Sequence, residues 1–67
     1  MRITDEDKGM IASLLNEASE YNLNRLRDIG SKYGSPQPNQ CLCKEGNRNT
    51  YLNRFIEWYN NYINEEK

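Results

Sequence analysis

The sequence predicts an all-α protein, a hairpin of two helices joined by a Pro-containing linker and expected to oligomerise. Three observations carry that reading. Apolar residues recur at helical spacing in both halves of the chain. Thr4-Asp5-Glu6-Asp7 is a strong helix start. Pro36 and Pro38 break the middle, where alternate prolines forbid helix and favour an extended segment.

The first helix is expected over about 5–33. Thr4 caps it, and its acidic first turn suits the positive end of the helix dipole. Ile11, Leu14, Leu15, Ala18, then Tyr21 or Asn22, Leu26, Ile29 and Tyr33 continue one apolar stripe. Gly9 lies in the first turn, where its cost is small. Gly30 leaves two endings open, one at that residue and one at Tyr33-Gly34. At about 25 residues such a helix spans roughly 38 Å at its regular rise. A linker is expected over about 34–46.

The second helix is expected over about 47–65. Leu52, Phe55, Ile56, Tyr59 and Ile63 form one apolar stripe, and Tyr51, Phe55, Trp58 and Tyr62 form another beside it. Gly46 and Asn47 mark its start, with Asn47 as N-cap. Two helices alone cannot bury faces this broad. Self-association or docking on a larger partner is therefore expected, with Tyr51, Phe55, Trp58, Tyr59 and Tyr62 as the interface residues.

Sixty-seven residues make a single domain, and a chain this short has a marginal core. The chain holds no histidine, which removes the commonest general base and the commonest zinc ligand together. No apolar run suits a membrane span or a signal-peptide core. No catalytic constellation stands out. Glu17 and Glu20 share a face of the expected first helix, where exposed carboxylates usually serve solvation. The expectation is a non-enzymatic protein with no cofactor, in a cytosol or in something assembled there.

The net charge of −1 gives no global case for nucleic-acid or membrane binding, yet the charge is uneven. Residues 1–24 carry five carboxylates against two cations, and residues 55–67 carry three against one. Residues 25–54 carry Arg25, Arg27, Lys32, Lys44, Arg48 and Arg54 against only Asp28 and Glu45. In a hairpin these six gather at the loop end and form a candidate contact for the phosphates of double-stranded DNA. Dipole matching explains the three on the first helix without any ligand, but does not explain Arg48 near a helix start.

Cys41 and Cys43 admit three readings. They pack as small apolar groups where linker meets helix. They supply half of a four-cysteine zinc site across a dimer, since one chain alone has too few ligands. Or they do redox chemistry, which more naturally uses two intervening residues. A disulfide within the pair closes a small ring that intracellular proteins rarely keep.

The string Cys41-Leu42-Cys43, then Arg48, then Phe55 and Trp58-Tyr59 resembles a pattern in small uncharacterised proteins of phages and prophages of Bacteroidota. Those proteins have C-x-C, a basic stretch, then an aromatic helix ending in F-x-x-W-Y. The resemblance covers about the last 27 residues and not the first helix. It implies a phage or mobile-element origin and an intracellular setting, and carries no established activity. With the charge pattern, it leads to the expectation of an oligomeric phage assembly or DNA-packaging component, resembling in kind a small terminase subunit. The alternative is a small adaptor or host-takeover inhibitor that binds a phage or host protein through its aromatic C-terminal helix.

Overall fold

A computed structural model describes residues 2–65. Every regular element among them is helical: α1 spans Asp5–Asn16, α2 spans Glu20–Ser31 and α3 spans Glu45–Glu65. The all-α expectation holds, but the architecture has three helices where the sequence suggested two. The expected helix over 5–33 is cut at residues 17–19.

The physical reason for the cut is a cap. Ser19 Oγ accepts the Asn22 backbone N–H at 3.2 Å. The Asn22 side-chain amide in turn donates to the Glu17 carbonyl at 2.7 Å. Glu17 itself is extended, at φ −140° and ψ 105°. A serine at the N-cap offers the backbone an alternative to helix continuation. The turn also separates Glu17 from Glu20, so they share no helical face. At the head of α1, Thr4 caps as expected, its hydroxyl accepting from the Asp7 N–H at 3.1 Å.

α2 runs through Gly30 and ends in a turn. Tyr33 and Ser35 both donate their N–H to the Gly30 carbonyl, at 2.9 and 3.1 Å. Gly34 takes φ +81°, the left-handed conformation that closes many helices and favours glycine. Gly30 matters for a different reason. A Cβ there would sit 2.8 Å from a Phe55 ring carbon and 2.8 Å from the Ser35 Cβ. α3 and the chain after α2 approach the helix backbone through that missing side chain.

Two sets of contacts fix the topology. Tyr33, just past α2, donates its hydroxyl to the Asp7 carboxylate on the first turn of α1, so α1 and α2 run antiparallel. Tyr51 feels the charges of Arg27 and Asp28, Phe55 meets Gly30, and the Tyr62 ring lies 6.3 Å from Tyr33. Residue numbers rise together along α2 and α3, so these two run parallel. Residues 35–44 therefore form a strap that returns along α2 to its N-terminal end, as the two prolines permit.

The core is Ile3, Ile11, Leu14, Leu23, Leu26, Ile29, Leu42, Tyr51 and Phe55. Each fully buried side chain of this size is worth about 1.5–3 kcal/mol against exposure. The accessible surface is 4485 Å². Size scaling gives about 4,400 Å² for a compact monomer of this mass. The third helix and the strap thus supply the cover that two helices could not, and the fold closes without a second chain.

Candidate interaction surface

α3 begins at Glu45, two residues before the expected start, and Asn47 lies inside it instead of capping it. Its side chain works on the strap instead, donating from Nδ2 to the Cys41 carbonyl at 2.9 Å. Arg48 Nη1 donates to the Leu42 carbonyl at 3.0 Å. This contact accounts for a cation near a helix start: Arg48 clamps the strap to the head of α3.

The aromatic residues divide in two. Tyr51 is 3% exposed and Phe55 fully buried, so these two of the five expected interface residues belong to the chain's own core. The reason is the parallel packing on α2, where the gap at Gly30 admits the Phe55 ring. Trp58, Tyr59 and Tyr62 are half-buried. Trp58 lies 5.3 Å from Phe55 and 5.2 Å from Tyr62, ring centre to ring centre. Beside this row runs a second one, Leu52, Ile56, Tyr59 and Ile63, also half-buried. Leu52 and Tyr59 pack on the core, whereas Ile56 and Ile63 are not part of it. The neighbouring Asn53 and Asn60 are exposed and uncharged.

The six candidate cations do not meet at one tip. Arg25 is exposed and occupied by Tyr21, with Nη1 3.2 Å from the phenol oxygen and the guanidinium 5.8 Å from the ring centre. Lys32 lies by the opposite end of α2, near enough to Asp7 to stabilise its carboxylate. The other four surround the strap. Arg27 lines one groove beside it with Asn24, Asn39 and Gln40. Arg54 lines another with Asn39, Gln40, Asn47 and Thr50. Lys44 and Arg48 stand at its end. Carboxylates offset them: Asp28 lies 3.9 Å from Arg27, Glu20 lines the Arg27 groove and Glu45 follows Lys44. The surface is rich in amides and nearly neutral. The hairpin expectation failed here because the strap folds back along α2, which separates Lys32 from Lys44.

The strap lies against Tyr51. Tyr51 Oη is buried with no hydrogen-bond partner, and burial pushes its pKa up to about 12, against a smaller opposing pull from Arg27. Ser35 Oγ is buried and unpartnered in the same way.

Cys41 and Cys43 are both exposed and bonded to each other, with Cα atoms 5.2 Å apart. This corrects the packing reading. Leu42 between them is the residue that packs, at 5% exposure, and the turn at residues 42–43 leaves its two neighbours exposed. Sulfurs joined in this way offer no thiolates to a zinc ion shared across a dimer. Among the described residues, no group of three or more Cys, Asp or Glu is placed to hold a metal. No helix there is long and apolar enough to cross a membrane.

Compared with protein-family models, with curated proteins and with solved structures, the chain gives no match.

Proposed function

We propose that the protein is a non-enzymatic assembly component that pairs with a second copy of itself along α3. The observation that carries this reading is the row Leu52, Ile56, Tyr59 and Ile63, half-exposed after the chain's own core has closed. Its four-three-four spacing is that of a helix–helix seam, in which side chains of one helix seat between those of another. Asn53 and Asn60 border it, so no like charge opposes a second copy along that edge. A two-fold pair is the commonest closed assembly of identical chains. The contact is small, and the protomer is complete without it, so pairing is reversible and concentration-dependent.

Sedimentation from about 1 µM to 1 mM checks this over the range where a small interface acts. The expected result is a monomer–dimer equilibrium that Ile56→Asp with Ile63→Asp abolishes while helicity is kept. A wild-type protein that is monomeric throughout would overturn it. A protein partner's helix would then be the better occupant, as in an adaptor or host-takeover inhibitor.

One observation favours a second ligand. The strap draws Arg27, Lys44, Arg48 and Arg54 beside four side-chain amides. In the phage or mobile-element setting that the sequence resemblance implies, a dimer presents this surface twice, to duplex DNA. With offsetting carboxylates nearby, binding is weak and falls as salt rises. Titration of a short duplex at two salt concentrations checks it, and salt-independent or undetectable binding rejects it.

A further inference from the structure

We propose that Cys41 and Cys43 form a reversible thiol–disulfide exchange site that reacts with small carboxylate-bearing thiols. Four features of the fold meet there. The two cysteines are bonded to each other and exposed, so an attacking thiol reaches them without unfolding. Leu42 is seated in the core, and its carbonyl is held by Arg48 while the Cys41 carbonyl is held by Asn47. These anchors hold the strap backbone on either side of the bond, so the two sulfurs stay near each other after reduction. A groove of about 430 Å³ opens beside the pair and includes Arg27, Asn24, Asn39 and Gln40, with Glu20 at its rim. Guanidinium and amide donors of this kind suit the carboxylates of a small thiol. Lys44 follows Cys43 directly and α3 starts at Glu45, and a cation and a helix N-terminus near a cysteine each favour its thiolate, here against the carboxylates of Glu45 and Glu20.

The two sulfurs are not equivalent. The Cys43 backbone N–H points at Cys41 Sγ, 3.2 Å away. A donor so placed stabilises negative charge on Cys41 and makes it the better leaving group. In the first step the thiolate of the small thiol attacks Cys43 Sγ. The S–S bond breaks, and its electron pair leaves on Cys41 Sγ, which takes up the proton. A second small thiol then attacks the sulfur of the first in the mixed disulfide, and Cys43 leaves as a thiolate that is protonated in turn. Two small thiols are oxidised to their disulfide, and the protein gains two electrons and two protons. The reverse sequence restores the Cys41–Cys43 bond. The exchange is stoichiometric and implies no turnover.

The test uses the full chain and glutathione as the probe. Protein is equilibrated with mixtures of reduced and oxidised glutathione, quenched in acid, alkylated and weighed. The expected result is reversible interconversion of a dithiol and an intramolecular disulfide, with the mixed disulfide as a minor species. Oxidation that yields only linked dimers or stable mixed disulfides would overturn the proposal. A second readout separates this site from any exposed cysteine. The rate of the reduced protein with an aromatic disulfide should inflect below the ordinary thiol value of about 8.5. Arg27→Gln and Lys44→Gln, each with helicity unchanged, should raise the inflection and slow the reaction at pH 7. A shift of one pKa unit changes the thiolate fraction about tenfold, and the opposing change in nucleophilicity leaves about threefold in rate. An inflection at the ordinary value that neither substitution moves counts against the site.

Discussion

The α1–α2 hairpin and the α3–strap unit are held in different ways. The hairpin is fastened by devices local in sequence. Thr4 and Ser19 cap its helices from three residues away, and the Asn22 side chain closes the turn onto Glu17. α3 depends on contacts remote in sequence. Phe55 enters the gap at Gly30 and Tyr62 meets Tyr33. A 12-residue helix is marginal in isolation, so the local devices set the shape of the hairpin without making it stable. Its stability comes from apolar packing, which joins Ile11, Leu14, Leu23 and Leu26 of the hairpin to Leu42, Tyr51 and Phe55 of the strap and α3 in one core.

The strongest way to break this comparison is Phe55→Ala. Phe55 is fully buried and fills the gap at Gly30 between α2 and α3. Truncation of such a ring costs about 3–5 kcal/mol. Native stability is only about 5–15 kcal/mol, and small domains lie near the bottom of that range. The variant is expected to lose most of its helical circular dichroism at room temperature, hairpin included. If a stable signal from α1 and α2 survived, the hairpin would be an independent unit and its dependence on α3 would be refuted.

A pair of glycines sharpens the comparison with opposite signs. Gly9 lies in α1, where an added methyl would meet nothing within 4 Å, whereas at Gly30 it would meet Phe55 and the Ser35 Cβ. Alanine at Gly9 is expected to stabilise by about 0.5–1 kcal/mol through helix propensity alone. At Gly30 the same gain is outweighed by overpacking, which costs about 1–3 kcal/mol. Thermal melts of the two variants should move in opposite directions. Equal upward shifts would show that α3 is looser on α2 than the close approach implies.

The same contrast explains what the sequence disclosed. Helical spacing made the apolar rows of α1 and α3 legible, along with the Thr4 cap and the proline break. The turn at residues 17–19 was hidden because Ala18, Asn22, Leu26, Ile29 and Tyr33 keep an unbroken helical period across it. The structure buries Leu23 in place of residue 22, and Tyr21 is 67% exposed. That one-residue slip, together with a serine followed by Glu20, was the available signal. The site was less legible than the fold. The direction of the strap depends on Leu42 and on the Phe55–Gly30 contact, which no local pattern encodes. The strap in turn decides which cations meet, which aromatics are covered and where the cysteines face. Arg48 was the exception: its awkward place near a helix start flagged a specific role, which is the clamp on the Leu42 carbonyl.

The smallest expected effect concerns a polar link between the two kinds of contact. Tyr33 joins the first turn of α1, through Asp7, to the aromatic row of α3, through Tyr62. The Tyr33 hydroxyl, more than Lys32 or the Thr4 cap, holds the Asp7 carboxyl below its usual value of 3.8. A carboxylate whose pKa is depressed by folding stabilises the fold above its unfolded value. That contribution is lost as pH falls through the folded value. Tyr33→Phe keeps the ring and removes the donor. Wild type should therefore be the more stable protein at pH 5–7, and the gap should narrow as pH falls from about 4 toward 2. Asp7 is only partly buried, so the gap should also shrink with added salt. Denaturant midpoints of both proteins across this range measure it. A gap that stayed constant with pH would assign the role of Tyr33 to its ring alone.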